Sequence, residues 1–302
     1  MRDFHPGCAT LGGSGTALVP TRYQTRTGPY VVATNAPLPV DASALRQLQA
    51  LDRQVEATLG VGIPPQAAPI EIYILNDRAA FTRFLTYHYP ESPPRRAFFL
   101  AQGDRRVVYT FLGDRLEEDL RHEATHALLH AAVGAVPLWL DEGLAEYFES
   151  PDDPGGVNRE HLGPWREDLA SGWSPDLRRL EAITDIRRMS PRDYREAWAW
   201  THYLLHDPGP GKAALLSYLA DLQTQPDARP LSGRLDAIPD GRPARLLAHL
   251  ERVRARPVAV AGPPRAAILR LQGPAAAEPP PSRPRRGLLG RLRDAIGTAV
   301  GL

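Results

Sequence analysis

The chain has 302 residues with 36 Lys+Arg against 35 Asp+Glu, a net charge of +1, and 43% hydrophobic residues. A balance this even excludes nucleic-acid binding by bulk electrostatics, and no stretch approaches the roughly 18 uninterrupted apolar residues of a membrane span. One cysteine, Cys8, excludes an intramolecular disulfide and a Cys-rich zinc module, so any metal site must be built from His and carboxylates.

Residues 1 to 28 read as irregular, with Gly12-Gly13-Ser14-Gly15 in the middle. No signal peptide is expected, because no apolar stretch follows the charged start. Pro6-Gly7-Cys8 resembles a lipoprotein cleavage site without its apolar segment, which leaves either a truncated start or an incidental cysteine; the compartment stays open. Tyr30–Thr34 reads as a strand, and Asp41 to Leu59 as an amphipathic helix ended by Gly60. Ile70–Leu75 is β-branched and aromatic, as a half-buried strand requires. Residues 78 to 88 suggest a short helix. Ala97–Ala101 and Arg106–Leu112 read as strands joined by a turn at Gln102-Gly103-Asp104-Arg105. After Gly113 the pattern is helical to about residue 256. Strands first and helices afterwards predict an α+β fold rather than alternating βαβ units.

The expected organisation is one domain over residues 29 to 256, a Pro/Ala/Arg-rich linker over 257 to 286, and a short basic amphipathic helix over 287 to 302. Residues 257 to 302 hold seven Arg against Glu278 and Asp294, so the tail is charged differently from the rest. Arg285, Arg286, Arg291 and Arg293 beside an apolar stripe suit an anionic membrane surface or an acidic partner; the other reading is a helix docked on its own domain.

His122-Glu123-Ala124-Thr125-His126 carries the chemistry. Asp114 is placed to cap the helix that holds it, Glu117 stands three residues later, and Gly134 follows its end. Two His four residues apart project from one helix face, and zinc takes such nitrogens at about 2.0–2.1 Å. Glu123 beside the first ligand is placed to reach a water at the metal as general base. His130 continues the spacing but lies about 12 Å along the axis from His122, too far to share one ion. It reads as a partly buried or outer-shell group.

The third-ligand candidate lies in Trp139-Leu140-Asp141-Glu142-Gly143-Leu144-Ala145-Glu146, on a second helix that packs back. Glu142 follows His126 by sixteen residues, and Gly143 lacks a Cβ, which permits a close helix approach beside the metal. Glu146, one turn later, either holds the outer nitrogen of a ligating imidazole or is an exposed carboxylate. Asp141 and Glu146 are the fallback ligands.

His-Glu-x-x-His followed by Trp-Leu-x-Glu-Gly-x-Ala resembles the gluzincins, zinc metallopeptidases with Glu as third ligand, and among them bacterial peptidase-MA-like families. The resemblance covers about residues 95 to 206. It implies a zincin-like fold, one zinc per chain held by His122, His126 and Glu142, and hydrolysis of peptide bonds in a peptide or protein substrate. It also implies an oxyanion-assisting Tyr opening a later helix, which falls on Tyr194 in Tyr194-Arg195-Glu196-Ala197; His202 competes for that role. The Gly-x-Met-Glu-Asn segment of aminopeptidases is absent, so aminopeptidase activity is not implied, and endo- against exo-action stays open. The rival from another class is a zinc-binding, non-catalytic interaction module of the same fold; an intact Glu123 weighs against it.

Overall fold

The computed structural model describes residues 19–255 apart from 40–41, 151–152, 154 and 237–241. The proposed linker and terminal helix, and residues 1–18, lie outside these. The fold is α+β: a five-stranded sheet followed by helices. Its strands are β1 (Tyr23–Thr27), β2 (Tyr30–Thr34), β3 (Ile70–Leu75), β4 (Phe98–Gln102) and β5 (Arg105–Phe111), in the order β1-β2-β3-β5-β4.

β1 corrects the expectation of an irregular stretch up to residue 28. Its polar sequence, Tyr-Gln-Thr-Arg-Thr, hides a strand that earns its place by antiparallel pairing with β2 across a turn at Gly28-Pro29, where Gly28 takes φ +53°. Polar alternation is what an edge strand with one solvated face requires.

The centre of the sheet is parallel. β2 pairs with β3, and β3 with β5, in parallel register, so Tyr73 stands opposite Tyr109 and their rings stack at 5.5 Å. Parallel neighbours need a crossover, supplied by α1 (Ser43–Leu59) and α2 (Arg78–His88). The first half therefore does contain βαβ units, although the chain as a whole segregates strands from helices. β4 returns antiparallel to β5 through a two-residue turn at Gly103-Asp104, with Gly103 at φ +59°, and ends as the far edge.

Period-2 alternation splits the sheet's side chains between two cores. Val32, Ile70, Ile72, Ile74 and Val108 join the main core with Leu45, Leu48 and Leu51 of α1. Leu75, Val107, Tyr109 and Phe111 pack on Phe81 and Phe84 of α2. Asp77 caps α2 by accepting from Ala80 N at 2.7 Å.

On the main-core side lie α3 (Leu116–Ala132) and α4 (Leu138–Phe148). Short helices α5 (Arg159–Leu162), α6 (Trp165–Ala170) and α7 (Leu177–Glu181) lead to α8 (Pro191–His206), then α9 (Pro210–Leu222), α10 (Leu231–Leu235) and α11 (Arg242–Ala255). All described residues belong to one compact unit, and none of their helices is long and apolar enough to cross a membrane.

The start of α3 departs from expectation. Arg115 is the N-cap and offers no side-chain cap; Asp114 instead pairs with Arg96 at 3.1 Å. Glu117, Glu118 and Asp119 in the first turn supply the negative charge that a helix N-terminus favours. Arg121 is buried at 2% exposure and ties three elements together. It donates to Phe148 O at 2.7 Å and to Gln54 Oε1 and Gln47 Oε1 of α1 at 2.7 and 3.2 Å. The end of α4 is thereby held against α3.

Candidate metal centre

α3 presents His122 and His126 one turn apart, with ring centroids 5.0 Å from each other. Residues four apart share a helix face, so this closeness follows from the sequence alone. α4 runs back along the same face, antiparallel to α3. Early residues of α3 therefore meet late residues of α4, and the reverse.

Both imidazoles turn one nitrogen toward the same carboxylate oxygen. His122 Nε2 lies 3.7 Å and His126 Nε2 3.9 Å from Glu142 Oε2. Ligand atoms about 2.0–2.1 Å from a tetrahedral metal stand about 3.3 Å apart. The observed spacing is slightly wider than that edge, and the N,N,O donor set is one that zinc accepts. Among the described residues these three form one of two groups whose ligand atoms all lie within 4.8 Å of one another, the other being His122, Glu146 and Glu149. His122, His126 and Glu142 fit a single metal ion.

The outer nitrogens face carboxylates too, and here the pattern differs from expectation. His122 Nδ1 is hydrogen-bonded to Glu149 Oε2 at 3.0 Å, whereas His126 Nδ1 stands at ion-pair distance, 3.0 Å, from Asp141 Oδ2 without hydrogen-bond geometry. Glu146 holds neither. Its Oε2 takes His161 Nε2 at 2.8 Å and accepts from Asn158 Nδ2 at 2.8 Å. Asn158 Nδ2 also donates to Glu149 Oε1 at 2.8 Å, so Glu146 and Glu149 are bridged by one amide. The antiparallel crossing explains the exchange: His122 sits near the end of α4, where Glu149 rather than Glu146 faces its far nitrogen. Asp141 lies beside the outer nitrogen of His126, away from the Nε2 atoms that face Glu142, and its Oδ2 is hydrogen-bonded to His130 Nε2 at 3.3 Å. His130 is thus an outer group, as its distance along α3 demands.

Electrostatics suit a cation. Burial disfavours a charged His122, yet Glu142 and Glu149 beside its two nitrogens raise its pKa well above the ordinary value. Burial also opposes charge on His126, and Asp141 and Glu142 outweigh it, pushing the pKa up to about 9. The carboxylates beside the two imidazoles place a strong negative field at the centre of the site.

The site opens into a cleft of about 1040 Å³ lined by β4, α3, the segment before β4 and Tyr194 of α8. That volume is at the upper end of small-ligand sites, which suits an extended substrate. Glu123 lines the cleft beside His122; burial, the largest effect, raises its pKa, while the two imidazoles pull it back. Phe99 of β4 stacks on the His126 ring at 6.0 Å and walls one side.

Tyr194 is half-buried at the cleft, and burial together with Glu142 pushes its pKa up to about 12. His202 does not reach the cleft. It is fully buried further along α8, with Nδ1 2.8 Å from His249 Nε2 and its ring stacked on His206 at 4.4 Å. Eight residues of helix beyond Tyr194 place it out of reach of any substrate oxygen in the cleft. Gly143 also has a different neighbour from the one expected. A Cβ there would stand 2.6 Å from Ala197 O of α8, and closer still to Thr201 Oγ1. The tight approach is between α4 and α8, not α4 and α3.

Glu149 was absent from the sequence-derived site although a signal existed. Glu142, Glu146 and Glu149 fall at i, i+4 and i+7, one acidic stripe facing the two imidazoles. Orienting carboxylates typically contribute ten- to a hundred-fold in metal affinity. Glu149→Gln keeps an acceptor oxygen but loses the charge, and is expected to weaken zinc binding by roughly that factor, read by competition with a chelator. Unchanged affinity would show that Glu149 does not tune the site.

No curated protein matches the chain. Residues 118–227, from the first turn of α3 through α9, match a family described as a protein of unknown function, DUF1570, and this stretch includes His122, His126 and Glu142.

Proposed function

We propose that the protein is a zinc-dependent hydrolase of peptide bonds with a gluzincin-type, zincin-like catalytic domain. The observation that carries this is the convergence of His122 Nε2 and His126 Nε2 on Glu142 Oε2, with Glu123 in the same cleft. Zinc, when bound by these three, supplies Lewis acidity, lowering the pKa of a water toward neutrality and polarising a carbonyl oxygen.

The chain's own residues do the rest. Glu149 fixes the His122 ring by a hydrogen bond and Asp141 attracts the outer nitrogen of His126 as an ion pair, which favours the orientation that aims both Nε2 atoms inward. Glu123 takes a proton from the attacking water and delivers it to the leaving amine nitrogen. Its desolvated carboxylate, with a raised pKa, is a stronger base than a solvated one. Tyr194, protonated at any working pH, donates its hydroxyl to the substrate oxygen as negative charge develops there. β4, an edge strand lining the cleft, offers main-chain groups that pair with an extended peptide. Phe99 excludes water from one wall.

Metal analysis with peptide-library cleavage profiling tests the reading. Purified protein is expected to hold about one zinc per chain, as three-ligand catalytic sites do. His122→Ala, His126→Ala and Glu142→Ala should each strip most of it, and full occupancy in Glu142→Ala would overturn the ligand set. Zinc binding without cleavage of any peptide would favour the non-catalytic binding module instead.

Tyr194→Phe removes one oxygen and keeps the ring. Loss of one oxyanion donor costs about 10²–10³ in kcat, roughly 2.7–4 kcal/mol. That drop is expected with zinc content and KM nearly unchanged, since the donor acts in the transition state. His202→Gln, remote from the cleft, should leave kcat within a few-fold; the reverse result would remove Tyr194 from the mechanism.

A further inference from the structure

Four arginines line the cleft, and three are already satisfied. Arg96 pairs with Asp119 and Asp114, each at 3.1 Å. Arg115 pairs with Glu118, and Arg187 with Asp185 at 2.8 Å. Arg95 differs from all of them. Among the described residues no carboxylate lies at ion-pair distance from it, and its Nε is shut off from solvent with no hydrogen-bond partner. A guanidinium nitrogen shut off from solvent without a partner is costly, because that donor has given up water and received nothing in return.

The position is held. Pro93-Pro94 precede Arg95 and limit the backbone, and the guanidinium rests over the Phe98 ring at 5.2 Å. It lies three residues before β4, the strand that walls the cleft. It lines the same cleft as Glu123 and Tyr194, the groups assigned to the reaction, without pairing with either.

We propose that Arg95 anchors a carboxylate of the substrate, which makes acidic peptides the preferred class. This rests on the hydrolase reading above. A carboxylate in the cleft can meet the outward edge of the guanidinium with two parallel charge-assisted hydrogen bonds, the geometry for which a planar fork is built. The cleft also carries Glu118, Asp119, Glu123, Asp141, Glu142 and Asp185. A single negative charge delivered to the one unpaired arginine is tolerated there, while a dianion such as phosphate meets more repulsion than one arginine offsets. The carboxylate comes from an Asp or Glu side chain near the scissile bond or from the free C-terminus of the peptide; the second source would make the enzyme carboxypeptidase-like.

Two sets of twin fluorescent peptides test the anchor. One set differs only as Glu against Gln, the other only as free C-terminal acid against amide. Binding is read by anisotropy on zinc-loaded Glu123→Gln protein, which does not consume the peptide, and turnover on the otherwise unaltered chain. The acid twin of one set is expected to bind roughly ten- to a hundred-fold tighter than its amide. Adding Arg95→Gln should erase that difference with no change in melting temperature, and Arg95→Lys should retain only part of it, because a point charge replaces a fork. The set that responds identifies the source. Equal binding of all twins, or a preference that survives Arg95→Gln, overturns the anchor even if the unaltered chain cleaves peptides. Arg95-dependent binding of acidic peptides that are never cleaved overturns the hydrolase reading and leaves the anchor standing.

Discussion

Glu123→Gln protein is expected to hold zinc as wild type does and to hydrolyse peptides about 10²–10⁴-fold more slowly, the range that a positioned general base contributes. The separation of the two effects follows from geometry. Glu123 belongs to the cleft wall and is not one of the three residues whose ligand atoms converge, so neutralising it leaves the ligand set intact. Gln keeps the length and one acceptor oxygen but has no basic site to take the water's proton. Removing a carboxylate next to His122 and His126 also removes some negative potential, so zinc affinity should fall only slightly. Both quantities are measured on the same preparation: zinc by atomic emission, and kcat on whichever library peptide the wild type cuts fastest. A variant that cleaves at the wild-type rate would remove Glu123 as base. A variant that also loses its zinc would place Glu123 among the groups that hold the metal, and the roles of Glu123 and Glu142 would have to be exchanged.

Gly143→Ala is expected to lower stability by about 2 kcal/mol, a fall in melting temperature of roughly 4–8 °C for a domain of this size. Two effects oppose each other. Ala is the better helix former by about 1 kcal/mol in a helix interior such as α4. Against this, its Cβ would stand 2.6 Å from Ala197 O and 2.9 Å from Ala197 C, both backbone atoms of α8 that cannot rotate away. Overpacking a tight contact costs about 1–3 kcal/mol, and contact with backbone puts this case at the upper end or beyond. The clash therefore wins. α4 and α8 carry Glu142 and Tyr194 respectively, so parting them should also lower zinc retention and kcat. Gly163→Ala is the control: it sits at φ −66°, and the nearest atom to a Cβ there is 3.9 Å away. Thermal melting of the two variants side by side decides the matter. If Gly143→Ala melts with wild type and keeps its zinc, close α4–α8 packing does not set the geometry of the site.

Glu142 is legible in the sequence because it follows a helix whose two His share a face and stands on the next helix that can pack against them. The 3.6-residue period places His122 beside His126, and it excludes His130 from the same ion, with no tertiary information at all. Strand period and turn residues likewise mark β2 to β5 and α1 to within a residue or two, and the order of strands and helices marks the α+β class. Each of these is a property of a segment and its own axis. The partners of each face are not. That Glu149 and Asp141, rather than Glu146, face the outer nitrogens of the imidazoles depends on α4 crossing α3 antiparallel. That Gly143 meets Ala197 depends on α8 packing over α4 after about fifty residues of intervening chain, and the same packing carries His202 into the interior away from the cleft. β1 was hidden because an edge strand with one solvated face needs little apolar sequence and is made by its partner's hydrogen bonds. Arg95 stands out only once every other cleft arginine is seen to have a carboxylate. Periodicity reports which way a side chain points from its own element; only the assembled chain decides what it points at.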